Sequence, residues 1–297
     1  MFFCRAKNIL SMEVMRKNEP LRKHTTFRIG GAAGLYYEPT DKAGFLEVYE
    51  ENRSAFILGG GSNVLVSDKG LPVVISMKGL KSFSVTESGE GNTDVKVGAG
   101  YGLTALTRKV QRLGLAGLEF AFGIPGSVGG AIVMNAGASG GEVEDVLLEA
   151  ELLSDGKINT VPATDLKLAY RESSLPKGAV ILSATLRLGN GEQNGIMEKM
   201  NENNNARKAS QPLDLPSAGS IFKNPQGDYA GRIIEELGFK GKSVGGAMVS
   251  EKHANFIVNT GDATAGNVLE LVEEIEAKVK EEKGISLTRE IRFAGSK

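Results

Sequence analysis

The chain has 297 residues, which is enough for two domains or one large one. Its formal net charge of −1 argues against nucleic acid as the main partner, because binding to a phosphate backbone needs a clear basic excess. One cysteine and two histidines exclude an intramolecular disulfide and argue against a metal site, and no stretch approaches the ~20 apolar residues of a membrane span.

The N-terminal segment, residues 1–20, is predicted to be an extension of the folded part. Its apolar start resembles a signal peptide, but Arg5 and Lys7 interrupt it and no apolar core follows. Met12 offers an alternative start, so the first dozen residues are expected to be loose.

Strand and helix patterns alternate after this segment. Apolar stretches predict strands at residues 33–38, 55–58, 64–66 and 73–75, and a strand pair at 83–86 and 94–97. Helical periodicity predicts helices at residues 41–52 and 103–113, and Gly114 closes the second.

A glycine-rich segment at residues 59–63 (GGGSN) lies between two predicted strands. A Rossmann fingerprint requires a helix after its glycines, so that interpretation is set aside. The loop would instead bind an anion through its own backbone N–H groups. A plain turn is the alternative, but successive glycines favour close approach to a phosphate. The predicted cofactor-binding residues are Gly59, Gly60, Gly61, Ser62 and Asn63.

A second glycine-rich segment, residues 123–131 (GIPGSVGGA), predicts an irregular loop. Ser127 can donate a hydrogen bond to a carbonyl or a phosphate. Small residues continue at 135–137, so a large flat ligand is expected on this surface, and a purely structural loop is the alternative. The predicted cofactor-binding residues are Gly123, Ile124, Pro125, Gly126, Ser127, Gly129, Gly130 and Ala131.

The second half of the chain begins with β patterns and ends with mixed ones. A hairpin is predicted at 147–153 and 158–161 and a long strand at 179–188. Residues 189–216 are interpreted as a domain crossing, because the run at 201–205 is a poor helix former and prolines follow. Helices are then predicted at 229–237 and 268–283, and strands at 244–249 and 255–258.

Four polar positions suggest chemistry. Arg171 suits a carboxylate, although a surface ion pair is equally compatible with its local sequence. Ser220 lacks the G-x-S-x-G elbow of a hydrolase, but its hydroxyl can deliver a proton, and Lys223 nearby suits a phosphate or carboxylate. Glu290 lies in a terminal stretch whose alternation also fits a plain edge strand.

These motifs, taken together, resemble the UDP-N-acetylenolpyruvoylglucosamine reductase family over residues 24–297. The segments that carry the resemblance are 24–31 (HTTFRIGG), 59–63, 123–131, 170–171 (YR), 219–225 (GSIFKNP), 250–256 (SEKHANF) and 290–293 (EIRF). Only about fifty residues separate Arg171 from Ser220, so the chain looks like the shorter type that lacks an inserted aromatic loop.

The resemblance implies an α+β fold. A vanillyl-alcohol-oxidase/PCMH-type FAD-binding domain with two α+β subdomains would cover residues 21–190, and a smaller α+β substrate-binding domain would cover 205–297. Non-covalent FAD and NADPH are the implied cofactors, and the implied reaction reduces the enolpyruvyl group of UDP-N-acetylglucosamine enolpyruvate to give UDP-N-acetylmuramate. We expect a cytoplasmic monomer that acts on a UDP-sugar without nucleic acid, membrane or metal.

The resemblance also implies roles for single residues. The catalytic residues would be Arg171, Ser220 and Glu290, and the substrate-binding residues would be Tyr170, Lys223 and Asn224. Two alternatives stay open: an FAD-dependent oxidase of the same fold acting on an alcohol or sugar, and a nucleotide-binding protein without enzymatic activity.

Overall fold

The structure, a computed structural model, describes residues 14–89 and 91–296. The α-helices of this part are α1 (Lys42–Glu51), α2 (Leu103–Arg112), α3 (Val128–Val133), α4 (Gln193–Ser210), α5 (Ala230–Glu236) and α6 (Ala265–Lys283). Its strands are β1 (Val14–Pro20), β2 (Ala32–Glu38), β3 (Phe56–Leu58), β4 (Val64–Val66), β5 (Leu71–Ser76), β6 (Phe83–Gly89), β7 (Asn92–Gly98), β8 (Leu115–Ala116), β9 (Gly137–Ala138), β10 (Gly141–Glu142), β11 (Leu147–Ser154), β12 (Lys157–Pro162), β13 (Val180–Asn190), β14 (Ser217–Ser220), β15 (Ser243–Val244), β16 (Ala247–Val249), β17 (Phe256–Asn259) and β18 (Arg292–Ala294). The predicted α+β class is confirmed.

Two larger sheets lie in the first two-thirds of the chain. One has the strand order β1-β2-β5-β3, in which β2 and β3 run parallel to β5. The other has the order β12-β11-β13-β7-β6, antiparallel throughout, and the short β8 pairs with β13. They correspond to the two subdomains that the resemblance implies.

Strand β1 occupies part of the predicted extension. Residues 14–20 belong to the first sheet, because β1 pairs antiparallel with β2. Its sequence is polar and largely exposed, so no apolar alternation marks it, and the pairing rests on backbone hydrogen bonds. Residues 1–13 of the predicted extension lie outside the described residues.

Helix α4 is the main departure from the predicted elements. The run at 201–205, interpreted as a poor helix former, lies inside this 18-residue helix, whereas the interpretation of residues 189–216 as a domain crossing stays a prediction. Ile196 and Met200, one turn apart, bury their side chains against Phe122. Asn203 Nδ2 donates a hydrogen bond of 3.1 Å to a backbone carbonyl of the loop beside it. These tertiary contacts outweigh the low helix propensity of the asparagine run.

The C-terminal sheet has the order β14-β17-β16-β15 and is antiparallel. The single strand predicted over residues 244–249 is two strands, because Gly245 adopts φ +52° and breaks the run between them. Helix α6 covers the sheet with the predicted apolar face, and the chain's N-terminal half contributes Phe27, Ile29 and Leu65 to this core. Among the described residues, no helix is long and apolar enough to cross a membrane.

Asp68 joins the first glycine-rich region to the C-terminal core. It follows β4, and its carboxylate oxygens accept hydrogen bonds from the backbone amides of Ala265 at 2.9 Å and Gly266 at 3.1 Å. These amides begin α6, where a negative charge interacts favourably with the helix dipole. Asp68 therefore caps a helix that lies almost two hundred residues later in the chain.

We expect Asp68→Ala to lower the free energy of unfolding by about 1–2 kcal/mol, since it removes a charged cap from α6. Asp68→Asn keeps one acceptor oxygen and should lose about half as much. Urea denaturation followed by circular dichroism measures both losses, with the exposed Asp262→Ala as the control. A loss for Asp68→Ala that does not exceed the control would refute the capping role.

Candidate active site

A cavity of about 620 Å³ lies where the two glycine-rich loops face the C-terminal sheet. Arg171, Ser220 and Glu290, which are far apart in sequence, all line it. Every predicted cofactor-binding residue lines it as well, with the exception of Gly123. Gly123 lies against α4, where an added Cβ would stand 2.7 Å from Asn204 Oδ1. The structure therefore brings both loops and the three candidate catalytic residues into one space.

The two glycine-rich loops pack directly on each other. A Cβ on Gly60 would stand 2.4 Å from the Cα of Gly126, and Gly61 has φ +67°. Ser62 Oγ donates a hydrogen bond of 2.9 Å to the carbonyl of Pro125. The sequence analysis attributed these glycines to close approach of a ligand, but neighbouring backbone already excludes a side chain at Gly60, which meets the second loop, and at Gly61, which meets the carbonyl of His24.

Arg171 presents a guanidinium fixed by backbone carbonyls. Its backbone adopts an uncommon φ of +56°, and its Nη atoms donate hydrogen bonds to the backbone carbonyls of Asn135 at 3.3 Å and Gly137 at 2.7 Å. Its Nε lies 3.3 Å from Glu290 Oε1, and its Nη1 lies 3.7 Å from Glu142 Oε1. The cation is thus held in place between two carboxylates at the cavity wall.

Glu290 is positioned by backbone bonds to both halves of the chain. Its N–H donates to the carbonyl of Ile221 at 2.8 Å, and its carbonyl accepts from Asn63 Nδ2 at 3.1 Å. Burial raises the pKa of the Glu290 carboxyl, and the positive charges of Arg171 and Lys223 offset this only in part. The site therefore favours the acid form of Glu290 more than water does.

Ser220 ends strand β14, where it pairs with Phe256 of β17. This strand lies beneath the cavity, and the serine belongs to the cavity wall. Ser220 therefore lines the same cavity as Arg171 and Glu290, and its role as a proton donor stays a prediction.

The three predicted substrate-binding residues lie outside the cavity lining. Lys223 Nζ pairs with the exposed carboxylate of Glu172 at 3.1 Å. Asn224 Oδ1 accepts from the first amide of α5 at 3.1 Å, so this side chain caps a helix. Tyr170 is 45% exposed, and the guanidinium carbon of Arg171 lies 5.1 Å from its ring centre. Their roles toward a substrate stay predictions.

Two residues that the sequence analysis missed also line the cavity: Arg207 and Gln211. In the part of the chain that the structure describes, the buried Arg207 Nε and Gln211 Oε1 have no hydrogen-bond partner. Burial lowers the pKa of Arg207, so this cation needs an anionic or accepting group. The four-residue spacing was a usable signal, but only once α4 is recognised as a helix.

Comparison with known proteins gives consistent matches. Residues 211–294 match the family model described as UDP-N-acetylenolpyruvoylglucosamine reductase, C-terminal domain, and residues 45–161 match an FAD binding domain. The UDP-N-acetylenolpyruvoylglucosamine reductase of Lachnoclostridium phytofermentans is 45% identical over 98% of this chain and 96% of its own length. That of Caldanaerobacter subterraneus subsp. tengcongensis is 44% identical over 98% and 97%. The crystal structure of the Thermus caldophilus reductase, 35% identical, superposes with a TM-score of 0.81 over 96% of this chain and 100% of that one.

The raised pKa of Glu290 predicts a pH-dependent stability. Folding favours its acid form, so this contribution is complete at acidic pH and is lost as the pH rises through the raised pKa. Glu290→Gln cannot ionise, and we expect it to match the wild type at acidic pH and to exceed it in stability at neutral pH. Melting temperatures across this pH range measure the difference.

Glu172→Gln, which changes an exposed carboxylate, is the control and should show no such trend. A Glu290→Gln protein that is less stable than the wild type at neutral pH would mean that the ion pair with Arg171 outweighs burial.

Proposed function

The chain belongs to the UDP-N-acetylenolpyruvoylglucosamine reductase family, and we propose that Arg171, Ser220 and Glu290 carry its reaction. It is an FAD-dependent enzyme that uses NADPH to reduce the enolpyruvyl group of UDP-N-acetylglucosamine enolpyruvate, giving UDP-N-acetylmuramate for peptidoglycan synthesis. This is the function expected from the sequence. The oxidase alternative is not supported, because relatives that span nearly the whole chain carry the reductase name.

One observation carries the residue assignment: Arg171, Ser220 and Glu290 converge on the cavity that both glycine-rich loops line. A flavin site in this family must place its cofactor beside the reacting double bond. The cofactor and the substrate must therefore share one cavity, since hydride transfer requires the flavin and the double bond to be in contact.

The residues present fit FAD. The buried Arg207 Nε lacks a partner within the described chain, and a diphosphate supplies the anionic acceptor that a buried guanidinium needs. Gln211 Oε1, also without a partner there, would accept from a donor group of the cofactor. Neither glycine-rich loop contains His or Cys, so we infer non-covalent binding. When bound, FAD relays hydride from NADPH to the terminal carbon of the enolpyruvyl double bond.

Arg171 would stabilise the negative charge that develops at the adjacent carbon and spreads into the substrate carboxylate. Its guanidinium is already fixed by two backbone carbonyls, so little reorganisation accompanies the reaction. A planar guanidinium also forms two parallel hydrogen bonds with a carboxylate, which fixes the orientation of the substrate.

Ser220 would donate the proton that completes the reduction, since this residue lines the same cavity and carries a hydroxyl group. Glu290 would assist in its acid form, which burial favours, by donating a hydrogen bond to the charge-bearing substrate group. A carboxylate at that position would instead repel the substrate carboxylate.

Lys223 and Asn224 are proposed to bind the substrate diphosphate, and Tyr170 to contact the substrate beside Arg171. The ion pair of Lys223 with the exposed Glu172 is weak enough to be exchanged for a phosphate. A cytoplasmic location, a monomeric state and the absence of nucleic-acid and membrane partners stay predictions from the sequence.

Ser220→Ala should slow reduction of the enolpyruvyl nucleotide by about 10²–10⁴-fold, because it removes the proton donor. Reduction of the flavin by NADPH should stay nearly normal, since that step needs no proton from Ser220. Stopped-flow absorbance resolves the two half-reactions. Ser217→Ala, at the other end of β14, is the matched control, and wild-type turnover by Ser220→Ala would overturn the assignment.

Arg207→Met should raise the Kd for FAD by about tenfold or more, because it removes a charge-assisted hydrogen bond to the diphosphate. Titration of apoprotein with FAD, followed by flavin fluorescence, measures this without turnover. Lys208→Met removes an exposed neighbouring cation and serves as the control. An unchanged Kd in Arg207→Met would show that the diphosphate lies elsewhere.

A further inference from the structure

We propose that Asn135 and Glu142 are positioning residues that hold Arg171 in its reactive orientation. This inference rests on the proposed catalytic role of Arg171. Asn135 is fully buried and satisfies three groups at once: its Nδ2 donates to Glu142 Oε2 at 2.8 Å and to the carbonyl of Ala169 at 3.2 Å, and its Oδ1 accepts from the Glu144 amide at 3.0 Å.

The backbone of Arg171 gives this network its importance. Arg171 adopts φ +56° in a turn closed by two hydrogen bonds of 3.0 Å between Ala169 and Glu172. This conformation is unfavourable for a residue with a Cβ and persists only where its surroundings impose it. Asn135 holds the turn through the carbonyl of Ala169 and holds the guanidinium through its own carbonyl. The side chain of Asn135 thus fixes the turn that carries Arg171, and the backbone carbonyl of Asn135 fixes the guanidinium.

Glu142 completes the network from the other side. Its Oε2 is bound by Asn135, while its Oε1 lies 3.7 Å from Arg171 Nη1. A substrate carboxylate must compete for the guanidinium with one of its two acidic neighbours. Glu142 is tied down by Asn135, whereas burial favours the neutral form of Glu290. The substrate would therefore replace the contact with Glu290, and Glu142 would remain as the fixed counter-charge.

A second role of Glu142 supplies the control. Its side chain caps a short 3₁₀ turn, and in return Asp145 Oδ2 accepts from the Glu142 amide at 2.8 Å. Asp145→Ala breaks the same capping pair but removes no contact to Asn135 or Arg171. A purely structural effect would therefore be similar in Glu142→Ala and Asp145→Ala.

The experiment compares half-reactions of the FAD-loaded enzyme. Glu142→Ala should lower the rate of enolpyruvyl reduction by about tenfold to a hundredfold, because a small misplacement of the guanidinium is costly. Glu142→Gln keeps an acceptor for Asn135 but removes the counter-charge to Arg171, so its loss should be smaller than that of Glu142→Ala. Asp145→Ala should have wild-type rates, and NADPH should reduce the flavin of all three variants at the wild-type rate.

A double-mutant cycle separates positioning from stability. In an Arg171→Lys background, Glu142→Ala should have almost no further effect on enolpyruvyl reduction, because the group it positions is gone. Wild-type rates in Glu142→Ala, equal losses in Asp145→Ala, or additive effects with Arg171→Lys would each overturn the proposal. Wild-type turnover by Arg171→Lys alone would instead overturn the proposed function.

Discussion

The site depends on the pairing of the last strand with β4, which directly follows the first glycine-rich loop. Strand β18 pairs in parallel with β4, and the Arg292 amide donates to the carbonyl of Asn63 at 3.0 Å. Asn63 in turn donates its side-chain amide to the carbonyl of Glu290 at 3.1 Å. This pairing holds the Glu290 carboxyl 3.3 Å from Arg171, which an unrelated part of the chain supplies. Without this parallel pair, Glu290 would not be held beside Arg171 at the cavity.

Glycine at the loops serves packing as much as binding. Gly60 and Gly126 leave no space for a Cβ between the loops, so the two glycine-rich loops are already tightly packed without a ligand. Helix α4 brings the half-buried Arg207 to the same cavity. The proposed cofactor site would thus combine closely packed backbone with a positive charge, which suits a nucleotide with an anionic diphosphate.

The sequence predicts much of the fold because apolar periodicity is strong in most elements. The hairpin at residues 147–161 and the buried face of α6 follow from it directly. Strand β1 and helix α4 were not predicted, because their sequences are polar and their formation depends on contacts with other elements of the chain. Arg207 was not recognised as a site residue because α4, which carries it, was not predicted. The local sequence of Arg171 fitted a surface ion pair equally well, so its proposed role came from the family resemblance and not from physical reasoning about its neighbours.

One cavity is proposed to pass reducing equivalents from NADPH, through bound FAD, to an enolpyruvyl nucleotide. The most direct test is the visible spectrum of the FAD-loaded protein under strictly anaerobic conditions. We expect NADPH to bleach the flavin absorption and one equivalent of the enolpyruvyl nucleotide to restore it. A colour that returns only when oxygen is admitted, together with hydrogen peroxide, would contradict the account and identify an oxidase.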